Sequence, residues 1–170
     1  MRYVCFLRAI NVGGRVVKME VLKEIFRSIA LADAETFIAS GNVTFTSARG
    51  APAALEKKIE EALTSGLGYD VDAFLRTPRD LAGVLTAVPS AAHVAFTREP
   101  ITAARRQHLA RFDTKQDSFT AVGREIYWTL AIKQSESAFV SARMEKLLAM
   151  RVTWRNMNTV RRLLAKYPPA

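Results

Sequence analysis

Between Arg2 and Arg76 the apolar pattern switches repeatedly between the two-residue period of a strand and the 3.6-residue period of a helix. The order of those switches restricts the fold more than any other feature. Arg2 to Ile10 is rich in β-branched and aromatic residues, apolar on both faces, and reads as a first strand; Asn11-Val12-Gly13-Gly14 breaks it. From Lys18, the residues Met19, Leu22, Ile25, Phe26 and Ile29 recur at three- and four-residue spacing and predict a helix. Thr36-Phe37-Ile38 and Val43-Thr44-Phe45-Thr46 read as short strands around Ser40-Gly41-Asn42, where glycine can take the positive φ of a tight hairpin. Pro52 opens a second helix with Leu55, Ile59, Ala62 and Leu63 on its apolar side, and Gly66 and Gly68 end it. Val71 to Arg76 alternates as a strand. The order is βαββαβ.

The same order then returns. Thr77-Pro78-Arg79-Asp80 is a helix start, with a capping Thr, Pro in the first turn and an acid beside it, and the helix runs to about Ala87. A strand follows over 91–97 and a helix over 101–111. Strands at 118–122 and 125–131 turn at Gly123-Arg124. A helix spans 139–150, a short strand 151–153 and a last helix 156–166. These expectations make the chain α+β: two ferredoxin-like βαββαβ halves, 1–77 and 91–170, joined by a connecting helix over 78–90 as one compact unit. The halves match in element order and not in sequence.

Composition bounds the chemistry. At 170 residues, 49% hydrophobic and 24% charged, the chain has globular composition and enough length to bury a core without a metal or disulfide staple. Its single cysteine, Cys5, lies in the apolar run Tyr3-Val4-Cys5-Phe6-Leu7 and reads as a buried thiol, which suits a reducing compartment. The apolar stretch at the start is interrupted by Arg8, is too short to span a bilayer and lacks a signal-cleavage site; no membrane association and a cytoplasmic location are expected. The net charge of +9 is uneven: residues 1–97 hold 11 Lys and Arg against 10 Asp and Glu, and residues 98–170 hold 14 against 6. Such an excess attracts phosphates, on nucleic acid or on a nucleotide; codon usage rich in Arg and Ala produces it equally well.

The turn Arg8-Ala9-Ile10-Asn11-Val12-Gly13-Gly14-Arg15 is the most informative segment. Two glycines between strand and helix allow backbone N–H groups to converge on an anion, with Arg8, Arg15 and Lys18 supplying charge; the alternative is a sharp turn that needs positive φ and nothing more. The spacing fits neither a P-loop nor the dinucleotide fingerprint. Ser40 and Asn42 offer a hydroxyl and an amide, or form only a hairpin. Thr153-Trp154-Arg155-Asn156-Met157-Asn158-Thr159 opens the last helix, where Thr153 or Asn156 would cap it and Arg155 would add charge to an electropositive first turn. His93 and His108 lack the spacing of a metal pair and read as structural, so neither metal nor cofactor is expected. A βαββαβ sheet also invites comparison with RNA-recognition modules, but the basic-Gly-aromatic run those need on the third strand is absent.

Phe6-Leu7-Arg8-Ala9-Ile10-Asn11-Val12-Gly13-Gly14, Lys18-Met19, Ile38-Ala39-Ser40-Gly41-Asn42-Val43 and Thr153-Trp154-Arg155-Asn156-Met157-Asn158-Thr159-Val160 together resemble the bacterial domain of unknown function 1697 family. The resemblance runs from about Arg2 to Leu164. It implies a pair of ferredoxin-like subdomains, no assigned activity, and signature residues Arg8, Asn11, Gly13, Gly14, Lys18, Ser40, Gly41, Asn42, Arg155, Asn156 and Thr159 gathered near one another. This chain departs from the pattern at Ala9, where glycine is usual, and at Leu130 to Ser137, which lacks a glycine-rich stretch.

The leading expectation is therefore a protein that binds a phosphate-bearing or other anionic ligand through Arg8, Asn11, Gly13, Gly14, Arg15, Lys18, Ser40, Asn42, Arg155 and Asn156. An enzyme acting on a small phosphorylated or acidic substrate, with Ser40 or Thr159 as the hydroxyl, is the rival; no general base accompanies either, so no catalytic residue is assigned. A nucleic-acid-binding or oligomerisation module is the third reading. Oligomeric state is not legible.

Overall fold

Seven residues of β-prone sequence, Arg2–Arg8, form β1, an inner strand of the first of two sheets. The computed structural model describes every residue except Val12, Ala39, Ser40 and Arg49, so part of the expected Ser40-Gly41-Asn42 turn lies outside the described residues. Contacts divide the chain into two units, Met1–Leu81 with Tyr167–Ala170, and Ala82–Lys166. The division falls inside a helix rather than on either side of it, and the last four residues belong with the first unit. Tyr167 accounts for that: its hydroxyl donates to Glu35 Oε2 at 2.6 Å, and the Arg2 guanidinium lies 4.9 Å from its ring centroid. The fold is α+β, with two four-stranded antiparallel sheets and six α-helices among the described residues. None of these helices is long and apolar enough to cross a membrane.

In the first unit β1 is followed by α1 (Met19–Ser28), β2 (Glu35–Thr36), β3 (Asn42–Thr46), α2 (Pro52–Leu67) and β4 (Asp72–Arg76), and the sheet order is β2-β3-β1-β4. Cys5 stands opposite Val43 on one side and Leu75 on the other. With Tyr3, Leu7 and Phe45 these residues share a core with Leu22 and Phe26 of α1 and Ile59 and Leu63 of α2. The alternate residues Val4, Phe6 and Phe74 are buried as well, so β1 is shielded on both faces, as its continuous apolar run requires. Strand β2 is shorter than its sequence suggests because Ile38 takes φ +57, a left-handed conformation that a β-branched residue adopts only under constraint.

One position on this sheet is poorly satisfied. Thr44 is fully buried, and its Oγ1 is the buried side-chain polar atom that lacks a hydrogen-bond partner among the described residues. Replacing an unsatisfied hydroxyl by a methyl of the same shape removes a desolvation cost. Thr44→Val is expected to raise unfolding stability by about 1 kcal/mol in urea titration; a loss of stability would mean that the hydroxyl does have a partner.

The helix that carries the division, α3 (Pro78–Ala87), begins with a reciprocal cap. Thr77 Oγ1 accepts from Asp80 N at 3.1 Å, and Asp80 Oδ2 accepts from Thr77 N at 2.8 Å. The second unit continues with β5 (His93–Phe96), α4 (Ala103–Leu109), β6 (Asp117–Val122), β7 (Glu125–Leu130), α5 (Ser141–Leu148), β8 (Thr153–Asn156) and α6 (Met157–Lys166), in the sheet order β6-β7-β5-β8. Its core is aromatic. Phe119 stacks on Trp128 at 5.8 Å, and Phe139 and Trp154 pack edge-on against Trp128. Buried Asp117 accepts hydrogen bonds from Trp128 Nε1 and Ser137 Oγ at 2.8 and 2.7 Å.

The end of the chain corrects the sequence reading. The last strand is Thr153–Asn156 rather than 151–153, so Arg155 sits within a strand and not in the first turn of a helix. The reason is packing. Trp154 turns toward the aromatic core, where its Nε1 donates to Ser141 Oγ at 2.8 Å, and the period-two alternation then buries Thr153 and Arg155 on the other face.

The two units are built alike at the level of register. Val4 pairs with Arg76 in the first sheet and Val94 with Arg155 in the second; each arginine is buried, and each donates to the carbonyl of the residue before it at 2.8 Å. In both units a glutamate from the second long helix accepts from a backbone N–H at the last strand: Glu60 from Ala73 and Glu145 from Val152, each at 2.8 Å.

His93 is buried beside the Trp128 ring, with centroids 5.1 Å apart, and burial pushes its pKa below the ordinary 6.5. The unfolded chain therefore takes up this proton before the folded one does, and His93 contributes stability that is present above pH 6.5 and is lost as pH falls below it. His93→Phe is expected to flatten the fall in Tm between pH 7 and 5. Parallel curves for the two proteins would rule out this role.

Candidate functional site

The segment between β1 and α1 is longer than its counterpart between β5 and α4, and it is folded on itself. Ala9 takes φ +59, a left-handed conformation that costs a residue with a Cβ about 1–2 kcal/mol. Asn11 Oδ1 accepts from Val17 N at 2.9 Å and draws the two ends of the loop together. Gly13 and Gly14 have φ +62 and +78 with open space where a side chain would be, so the turn itself, and no neighbouring atom, requires glycine there. The Arg15 guanidinium lies 4.2 Å from the centroid of the Tyr69 ring, and Tyr69 Oη donates to the Ile10 carbonyl at 3.3 Å. Tyr69, just past α2, thus holds both ends of the loop.

Beside this stack is an open groove of about 380 Å³ between the start of α1 and the end of α2, and Arg15, Lys18 and Tyr69 line it. Lys18 is the N-cap residue of α1, with no side-chain cap bond. The nearest acid in the first turn, Glu20, is held at 2.6 Å by Lys23, and that hydrogen bond and charge lower its pKa. Among the described residues neither Arg15 nor Lys18 has a carboxylate partner. Two cations therefore face one concavity.

Of the other expected site residues, Arg8, Asn42, Arg155 and Asn156 are not among those that line the groove. Arg8 is paired with Asp72 at 3.6 Å. Asn42 is buried, and its Nδ2 donates to Phe37 O at 2.9 Å, which ties the β2–β3 turn together. Ser40 lies outside the described residues. Arg155 and Asn156 belong to the second unit. There Arg155 is buried and its guanidinium donates to Thr153 Oγ1 and Trp154 O, and Asn156 Oδ1 accepts from Asn158 N at the start of α6. The structure thus brings Arg15 and Lys18 together and binds Arg8, Asn42 and Arg155 into protein contacts. Tyr69 escaped the sequence reading; its one signal was an aromatic directly after the glycine that ends a helix.

Two other readings meet the same geometry. An RNA-recognition sheet needs exposed aromatics, but Phe6, Phe74, Phe96 and Tyr127 are buried. Association by strand addition needs open sheet edges, and side chains occupy several of them. Glu56 and Glu60 accept from Leu75 N and Ala73 N on β4; on β6, Asp113 accepts from Phe119 N and Arg106 donates to Ala121 O.

Two antiparallel sheets of one strand order, each beside paired helices, define the class of α+β protein to which comparison applies. The family model described as protein of unknown function (DUF1697) matches residues 1–127, and the chain belongs to that family. The match covers the Arg8–Lys18 and Ile38–Val43 blocks and stops before Thr153–Val160. Among solved structures, a conserved bacterial protein from Streptococcus pneumoniae is similar, with a TM-score of 0.75 and 23% identity over 99% of this chain and 98% of that one. That similarity is one of fold. No curated protein matches the chain.

Proposed function

We propose that this protein binds a small phosphate-bearing or other anionic ligand at the connection between β1 and α1, with Arg15 and Lys18 as the charged groups and Gly13-Gly14 shaping the backbone beside them. The observation that carries this reading is the pairing of two cations on one groove without acidic partners among the described residues, while Arg8 and Arg155 already donate to protein groups. The repeated architecture supports it. We also read the two units as ferredoxin-like halves, from the βαββαβ order and the shared strand order; on that common scaffold only the first half carries the long glycine turn.

Charge draws the anion in, and the Arg15–Tyr69 stack holds the guanidinium in place beforehand, which lowers the ordering cost of binding. Titration calorimetry with inorganic phosphate at low salt is the test. Arg15→Ala with Lys18→Ala is expected to weaken binding by about tenfold or more, and Arg8→Ala to change it little. Binding that is equal in wild type and the double variant would refute the assignment.

A further inference from the structure

The groove is not uniformly polar. Besides Arg15 and Lys18 it is lined by Val16, Val17, Val21 and Leu67, and Val16 is 85% exposed and Val21 36% exposed. Exposed valines beside two unpaired cations have no role in the core, because the buried cluster below is built from other residues apart from Val17 and Leu67 at its margin. Gly66 of α2 also lines the groove, and a Cβ there would stand 2.8 Å from Ile25 Cδ1. Glycine here lets the two helices approach.

Resting on the proposed anion site, we infer that the ligand is a small phosphate monoester whose organic group is apolar. Three features select that class. Two cations match the charge of a phosphate dianion, whereas a carboxylate needs only one. The apolar wall adjoins the cations, so one molecule spans both. The open groove, of about 380 Å³, has room for a phosphate and one ring. A polar sugar would gain nothing from four aliphatic side chains.

The test compares three probes on the full chain by calorimetry: inorganic phosphate, phenyl phosphate and phenol. Phenyl phosphate is expected to bind roughly tenfold tighter than inorganic phosphate, with phenol undetectable. Val16→Ser with Val21→Ser, both at exposed positions, should abolish that advantage, so that the variant binds phenyl phosphate no tighter than inorganic phosphate; the far-UV spectrum verifies folding. Should phosphate bind while phenyl phosphate binds no better, the apolar wall is irrelevant and this inference fails while the anion site stands. Should phenol bind as well as phenyl phosphate, the groove selects apolar groups irrespective of charge and the monoester is wrong. If none of the three binds, the anion site falls and this inference with it. An advantage that survives in the serine variant overturns the assignment to the valines.

Discussion

Glu56→Ala is expected to lower unfolding stability by about 2–3 kcal/mol, an effect large for a residue whose type is normally exposed. Glu56 lies in α2, buried, and its Oε1 accepts from Leu75 N at 2.9 Å. That N–H points away from β1, on the free side of β4, where no other strand pairs with it. A carboxylate is a strong acceptor, and its removal leaves a buried donor with neither partner nor water. Glu56→Gln keeps an acceptor oxygen in place and is expected to recover most of the loss. Glu61→Ala, on the same helix but exposed, is the control. Urea denaturation of the three variants decides the matter: if Glu56→Ala costs no more than Glu61→Ala, the carboxylate does not cap the strand. No effect on association is expected, because the Leu75 N–H stays buried beneath α2 and Glu60 still accepts from Ala73 N on the same edge.

Gly41→Ala should destabilise by about 2–4 kcal/mol, for two separable reasons. Gly41 has φ +72, which costs a residue with a Cβ about 1–2 kcal/mol. The new Cβ would also lie 2.6 Å from Ile10 Cγ2 and 3.3 Å from Leu7 Cβ, so the packing around the end of β1 must shift. A double-mutant cycle with Ile10→Ala tells the two apart: truncating Ile10 relieves the steric part and leaves the backbone part. Strict additivity of the two changes would show that the contact is unimportant. The effect reaches the candidate site as well. Gly41 O accepts from Leu7 N at 2.8 Å, and the carbonyl of Ile10 is the one that Tyr69 holds. Movement of Ile10 loosens the loop that presents Arg15, so weaker phosphate binding should accompany the loss of stability.

Much of the architecture was legible because local signals agreed. Pro52 with the apolar side of the helix after it, Thr77-Pro78-Arg79-Asp80 as a capped helix start, and Gly123 at φ +58 between β6 and β7 each state a backbone preference that tertiary structure then uses. Short elements were placed less well. Strand β2 stops at Thr36 because Ile38 turns left-handed, and β8 extends to Asn156 because Trp154 joins an aromatic cluster drawn from β6, β7 and the segment before α5. Four residues carry too little periodicity to show which side is inside until the partners are known.

The candidate site divides along the same line. The glycines and cations of the β1–α1 connection stand out in the sequence, since backbone freedom and charge are properties of single residues. Which cations remain available does not: Arg8 and Arg15 look equivalent until Asp72 is found beside one and the Tyr69 ring beneath the other. By itself the sequence determined the order of strands and helices, the family and the glycine turn, all of which follow from local preference and spacing. Only the tertiary structure decided which arginines pair, which strand edges are capped and where a groove forms, because charge pairing and burial depend on residues brought together from distant parts of the chain.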